Sequence, residues 1–205
     1  AHAIETIYLT TNGAERLAEN SVDTSNLKVF EISDAVAKAM SDTETPQGII
    51  AICKMEKPDK SIINNGNIVY LYQIQDPGNA GTIIRSAHAM GINAIVTSPN
   101  SVDIYSPKVV RSTAGSIWHI PIFQGIELSD LKNPQKYVLT GQGEINLTEI
   151  DFSKPAIWIF GNEARGFKTG EIEATTVSIP MSGNAESLNL SAAAAIVMHE
   201  ISRGR

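Results

Sequence analysis

From residue 68 onward the chain alternates near-continuous apolar runs with polar loops and helix-like stretches. The runs fall at 68–74, 94–97, 120–123, 137–140, 157–160 and 177–179 and are rich in Val, Ile, Leu and Tyr. Strands read this way when helices cover a parallel sheet on both faces, so the pattern predicts an α/β fold with a mostly parallel sheet. A last helix is predicted over 190–202, after Asn189, and its run of four alanines suits close packing. Residues 1–57 alternate in the same manner on a smaller scale: strand 4–9, helix 13–19, strand 27–32, helix 34–40 with Ser33 as N-cap, strand 48–54. Glu56-Lys57-Pro58-Asp59-Lys60-Ser61 is polar, aperiodic and interrupted by proline. That places a linker at 58–66 between a small unit, 1–57, and a larger one, 67–205.

Composition narrows the class. The 205 residues are 42% hydrophobic, 19% charged and 6% aromatic, which excludes a disordered tail, a collagenous repeat and a disulfide scaffold. No apolar run approaches the roughly 20 residues of a spanning helix and no signal peptide opens the chain, so no membrane partner and a cytoplasmic location are expected. The single cysteine, Cys53, reads as a small buried hydrophobe. The chain opens Ala1-His2-Ala3 inside what reads as folded sequence, so a preceding piece is expected. A net charge of −6 argues against gripping nucleic acid by bulk electrostatics but leaves room for a local basic site. Residues 67–205 are nearer neutral than 1–66, and Arg85, Lys108, Arg111, Arg165 and Lys168 make up half of their basic side chains.

Three loops, each after an apolar run, carry the candidate chemistry. In Asp76-Pro77-Gly78-Asn79-Ala80-Gly81-Thr82-Ile83-Ile84-Arg85, Pro77 and Gly78 force a turn and Gly81 removes bulk at a helix start. Asn79 and Arg85 are then presented at the carboxyl end of a strand, where open α/β sheets bind ligands, although a structural turn with a solvated arginine reads equally well. His88 shares a face with Ile84, Ala87 and Gly91 and reads as a packing residue. In the second loop, Gly161 and Gly166 bracket Glu163 and Arg165, letting backbone approach a ligand, while a lone loop carboxylate is most often solvated. In the third, Ile179, Met181 and Leu188 could wall in a flat ring, with Ser187 and Asn189 as neutral donors and acceptors. Core filling by Met181 and N-capping by Ser187 are the plainer readings.

Taken together, Asp76-Pro-Gly-Asn-Ala-Gly-Thr-Ile-Ile-Arg85, Phe160-Gly-Asn-Glu-Ala-Arg-Gly166, Ile179-Pro-Met181 and Ser187-Leu-Asn-Leu-Ser191 resemble, in order, the motifs of the SpoU (TrmH-type) branch of the SPOUT methyltransferases. The resemblance spans about 67–205. Residues 1–57, with Thr45-Pro46-Gln47-Gly48 near their end, resemble the ribosomal-protein-like substrate-binding domain of many members, shortened at its start. The resemblance implies transfer of a methyl group from S-adenosylmethionine to a ribose 2′-hydroxyl of RNA, a C-terminal trefoil knot and a homodimer. It makes Asn79, Arg85, Glu163, Ser187 and Asn189 the catalytic group. Gly161, Ile179, Met181 and Leu188 would hold the cofactor, and Arg85, Lys108, Arg111 and Arg165 the RNA.

The implied chemistry suits these side chains. A sulfonium donor is already activated, so the protein has only to align the hydroxyl and help remove its proton, without a metal. Four scattered His and one Cys show no zinc or calcium spacing. Arginine is the family's proposed base, yet its neutral form is rare, and binding the adjacent phosphate while stabilising the forming alkoxide is the other role open to Arg85. Ribosomal RNA is favoured over transfer RNA by analogy with the accessory domain. A catalytically silent RNA-binding homologue is one alternative. A nucleotide-binding oxidoreductase is another, for which Gly141-Gln142-Gly143 is the only hint.

Overall fold

The computed structural model describes residues 4–55, 57–133, 135–161 and 172–204. Two compact units divide the chain, Ala1–Lys57 and Pro58–Arg205. In the first, a three-stranded sheet has the order β2-β1-β3, with β1 at Ile4–Leu9, β2 at Lys28–Glu31 and β3 at Ile49–Cys53. β1 runs parallel to β2 and antiparallel to β3. Helices α1 (Thr11–Glu19) and α2 (Asp34–Met40) are capped as their sequences dictate: the Thr10 hydroxyl accepts from Gly13 N at 3.2 Å and the Ser33 hydroxyl from Val36 N at 3.3 Å. Ile7, Leu9 and Ala37 are buried. Cys53 is half-buried rather than buried, and desolvation raises its thiol pKa.

The second unit is a seven-stranded sheet in the order β6-β5-β4-β9-β7-β10-β8, parallel at every pairing. Its strands are β4 (Ile68–Leu71), β5 (Ala94–Thr97), β6 (Ile122–Phe123), β7 (Lys136–Leu139), β8 (Ile145–Asn146), β9 (Ile157–Phe160) and β10 (Thr175–Ser178). Its helices are α3 (Pro77–Ala89), α4 (Pro107–Ser112) and α5 (Leu190–Arg203). Alternation along each strand sorts the side chains into two cores. Val69, Leu71, Ile95, Trp158 and Phe160 pack with Ala80, Ile83, Ile84 and Ala87 of α3, Val109 of α4 and Ala194, Val197, Met198 and Ile201 of α5. Ile68, Tyr70, Val96, Val138, Ile157 and Ile159 face the opposite side. Helices were expected on both faces; among the described residues the α-helices lie on one. The other face is covered by Ile63, Ile126, Leu128 and Leu131, from loops and short turns, with Ile172 and Ala174 beside them. Residues 60–64, inside the stretch read as a linker, form a 3-10 turn that buries Ile63.

Two late strands enter between earlier ones. β9 lies between β4 and β7, and β10 between β7 and β8. The chain runs outward from β4 through β5 to β6 and returns on the far side of β9, so the order reverses at the β4–β9 boundary, where α/β sheets open a crevice at their carboxyl ends.

At the opposite end of these strands, one buried amide ties three of them together. The Asn67 side-chain oxygen accepts from Ala156 N at 3.0 Å and Trp158 Nε1 at 3.2 Å. Its backbone N–H donates to Asn93 Oδ1 at 2.9 Å, and its carbonyl accepts from Asn93 N at 3.1 Å. Asn67→Ala would strand two buried donors at roughly 1–3 kcal/mol each. The expected result is a thermal midpoint lower by about 4–24 °C, read by calorimetry.

Candidate active site

The first loop is set by its neighbours before any helix begins. Tyr72 N extends the β4–β9 pairing to Phe160 O at 2.8 Å. Gln73 has φ +50 and donates its N–H to the buried Ser98 hydroxyl at 2.7 Å. Gln75 Nε2 reaches the Asn100 carbonyl at 2.6 Å. Helix α3 then starts: Asp76 is its N-cap, accepting from Asn79 N at 2.7 Å, and Pro77 occupies the first turn, where a missing N–H costs nothing.

The third loop leads into α5, and there the two helix starts meet. Asn189 is the N-cap of α5, its Oδ1 accepting from Ser191 N at 2.9 Å and Ala192 N at 3.3 Å. Its Nδ2 donates to Asn79 Oδ1 at 3.1 Å, a bond spanning 110 positions. Using both ends of its amide, Asn189 closes one helix start and holds the second residue of the set. Each helix start carries partial positive charge from its uncapped N–H groups, so the meeting point favours an anion.

Not every expected residue converges there. Arg85 is exposed on α3, about 9 Å along the axis from Asn79 and about 120° round it. Ser187 is exposed in the segment before α5 and is not its cap. Gly161 is buried at the end of β9, and Ile179 is half-buried at the end of β10; Met181 and Leu188 are 37% and 39% exposed. Glu163 and Arg165 lie outside the described residues. Lys108 and Arg111 are exposed on α4. His88, expected on the apolar side of α3, is exposed instead: the buried stripe is Ala80, Gly81, Ile83, Ile84 and Ala87, one position short of it.

One residue of the crevice had no motif to announce it. Thr140 follows β7, its N–H donates to Val177 O at 2.9 Å, and its buried hydroxyl has no hydrogen-bond partner among the described residues. The direction of a side chain at Gly141 points to Glu186 O, 3.8 Å from where a Cβ would be, which brings the third loop over the end of β7. A side chain at Gly143 would overlap the β10 backbone at Val177 and Ser178. The Gly-Gln-Gly text is therefore a close crossing of two chain segments rather than a dinucleotide loop. A buried hydroxyl without a partner at the end of β7, on the segment that meets the third loop at Glu186, is a polar group that a ligand at this edge could satisfy. Among the described residues, no three His, Cys, Asp or Glu side chains gather into a metal-holding group, and no helix is long and apolar enough to cross a membrane.

Comparison with known proteins decides the family. Residues 66–199 match the SpoU rRNA methylase family, and residues 1–59 match the RNA 2′-O ribose methyltransferase substrate-binding family. The chain belongs to the SpoU family. It is 32% identical over 182 residues to the 23S rRNA (guanosine(2553)-2′-O)-methyltransferase RlmP of Bacillus subtilis, covering 85% of this chain and 73% of that one. It is 30% identical over 188 residues to the 23S rRNA (uridine(2479)-2′-O)-methyltransferase of Streptomyces viridochromogenes, covering 84% and 66%. The crystal structure of the SpoU methyltransferase AviRb from the same organism, in complex with AdoMet, superposes with a TM-score of 0.82 at 25% identity, covering 99% of this chain and 83% of that one. This SpoU chain is an RNA 2′-O-ribose methyltransferase with S-adenosylmethionine as methyl donor. Its seven-stranded parallel sheet is the α/β architecture that the sequence reading expected.

Proposed function

We propose that this SpoU methyltransferase modifies ribosomal RNA at the carboxyl edge of its seven-stranded sheet, as a homodimer, with Asn79, Arg85, Glu163, Ser187 and Asn189 as the reacting group. The observation that carries the site is the Asn189–Asn79 bond at 3.1 Å, which joins the first and third motif loops into one surface. S-adenosylmethionine, when bound, supplies an electrophilic methyl group on a sulfonium. Backbone at Gly161, Ile179 and Leu188 holds its adenosine, Met181 walls the ring, and Thr140 gives its unpaired hydroxyl to the ligand. Arg85 binds the phosphate beside the target ribose and stabilises the alkoxide as the 2′-hydroxyl loses its proton. Asn189 fixes the Asn79 amide on the donor side, and Glu163 orients the Arg85 guanidinium. Arg165 adds a phosphate contact.

Insertion of β10 between β7 and β8 supports a trefoil knot in which the third loop is threaded to complete the cofactor pocket. Exposed Ala192 and Ile196 on α5 support a dimer through that helix. The substrate-binding match over residues 1–59, together with relatives named for 23S rRNA, supports reading ribosomal RNA as the substrate and unit 1–57 as the part that holds it. Incubation with tritiated donor and either 23S rRNA or bulk tRNA, followed by mapping of alkali-resistant linkages, tests this. One resistant ribose in 23S rRNA is expected, and labelling of tRNA alone overturns the assignment.

Thr140→Val tests the donor pocket separately. The lost hydroxyl has no partner among the described residues, so the melting temperature should hold or rise. Donor affinity should fall about 2- to 12-fold, the worth of one hydrogen bond, as read by isothermal titration.

A further inference from the structure

Beside the reacting group, the surface built by α3, α4 and the 3-10 turn Ser116–Trp118 carries a pair of rings that the methyl-transfer chemistry does not use. His88 and His119 are both exposed, and their rings lie stacked with centroids 4.9 Å apart and planes within 8°. His88 Nδ1 sits 3.2 Å from the Ser116 hydroxyl, which fixes the first ring on the turn that carries the second. Arg85 is one turn before His88 on α3 and therefore a neighbour of it on the helix surface. Lys108 and Arg111 are exposed on α4, which packs against α3.

The charge is as local as the rings. Residues 77–121 hold three basic side chains, Arg85, Lys108 and Arg111, and one acidic, Asp103, in a chain whose net charge is −6. Asp103 is occupied locally, accepting from Tyr105 N at 3.0 Å. A cationic strip with a flat, rigid aromatic shelf is the chemistry that holds unpaired RNA, with cations on phosphates and rings under a base. A second copy of this chain is the poorer occupant, because a two-fold contact through the strip would set Arg85, Lys108 and Arg111 against themselves.

We infer that the His88–His119 stack is a nucleobase platform, taking an unpaired base that flanks the methylated nucleotide, with Arg85, Lys108 and Arg111 on the adjoining phosphates. His88 lies about 13 Å along α3 from Asn79, so the base it takes is a neighbour of the target and not the target itself. This rests on the RNA-methyltransferase reading and adds the residues that choose sequence or shape next to the modified ribose.

The test uses the full chain, a transcript of 23S rRNA and sinefungin as a non-reacting donor analogue. His88→Ala/His119→Ala should raise the Kd for the transcript at least about fivefold, the lower bound for losing one base–aromatic stack. Sinefungin affinity and the melting temperature should stay at the wild-type values. His88→Phe/His119→Phe, which keeps two flat rings, should restore the Kd to within about twofold, a rescue that a merely structural pair of histidines would not give. An unchanged Kd in the alanine variant overturns the platform, as does failure of the phenylalanine pair to rescue. A changed sedimentation coefficient with unchanged RNA affinity assigns the surface to a second copy and overturns it too. If wild type methylates the transcript while the alanine variant binds as wild type does, only the platform falls. If wild type neither binds nor methylates it, the ribosomal-RNA reading falls as well.

Discussion

Arg85→Ala should lower methyl transfer by about 10²–10³-fold, the usual cost of removing a preorganised donor to a developing oxyanion. Donor affinity and melting temperature should not move. The reason for the split is geometric. Arg85 is exposed on α3 and outside the buried stripe of that helix, so its side chain contributes little to folding. It stands about 120° round the helix from Asn79, which faces the donor-side loop through Asn189. The guanidinium is therefore free to meet RNA without disturbing the ring of loops expected around the donor. Arg85→Lys keeps the charge but loses the planar fork and should recover only part of the rate. Single-turnover rates beside titration of the donor measure both quantities. Loss of donor affinity in step with the rate would move Arg85 into the donor pocket, and an unaltered rate would remove it from the reaction.

The sequence revealed the strands far better than their order. Ile-Val-Tyr-Leu, Ala-Ile-Val-Thr and Ile-Trp-Ile-Phe are buried along their whole length, and such runs stand out in any polar context. Ser33 and Asn189 marked helix starts because a side-chain oxygen there satisfies backbone donors. Neighbour relations leave no such trace. Nothing in Ile145-Asn146 announces a strand, since two residues have no period, and α4, at six residues, is too short to show an amphipathic stripe. His88 was misplaced because it sits one position beyond the edge of the apolar stripe, and what decides its side is the turn at Ser116–Trp118, distant in sequence. Thr140 was missed for a related reason. A threonine at a strand end is ordinary, and only the approach of the third loop near Gly141 makes its unpaired hydroxyl meaningful. The motif residues were legible singly, but the meeting of Asn79 with Asn189 is a property of the fold.

Gly81→Ala is expected to damage stability and rate together, in contrast to Arg85→Ala. Gly81 is buried on α3 where that helix crosses α4. A Cβ there would overlap Ser112 Oγ and would stand 2.6 Å from Ser112 Cβ and 2.9 Å from its carbonyl carbon. Rotating the serine hydroxyl away cannot relieve the last two contacts, so α3 and α4 must separate. Ser112 Oγ also lies 3.1 Å from the Pro77 carbonyl, so separation pulls on the first turn of α3 and on the loop that presents Asn79. Overpacking of this kind costs about 1–3 kcal/mol, equivalent to a melting temperature lower by about 2–12 °C for a unit of this size. The rate should fall more steeply than stability, because a displacement of about 1 Å in an aligned site can cost on the order of 100-fold. Gly81→Ala/Ser112→Ala separates the causes. If the clash is with the hydroxyl alone, the pair recovers both quantities; if it is with the α4 backbone and Cβ, as the distances require, it recovers neither. Calorimetry with single-turnover methylation reads the two together: full recovery would show that the hydroxyl alone carries the clash, and a lowered melting temperature with an unaltered rate in Gly81→Ala would show that the close crossing of α3 and α4 does not set the position of Asn79.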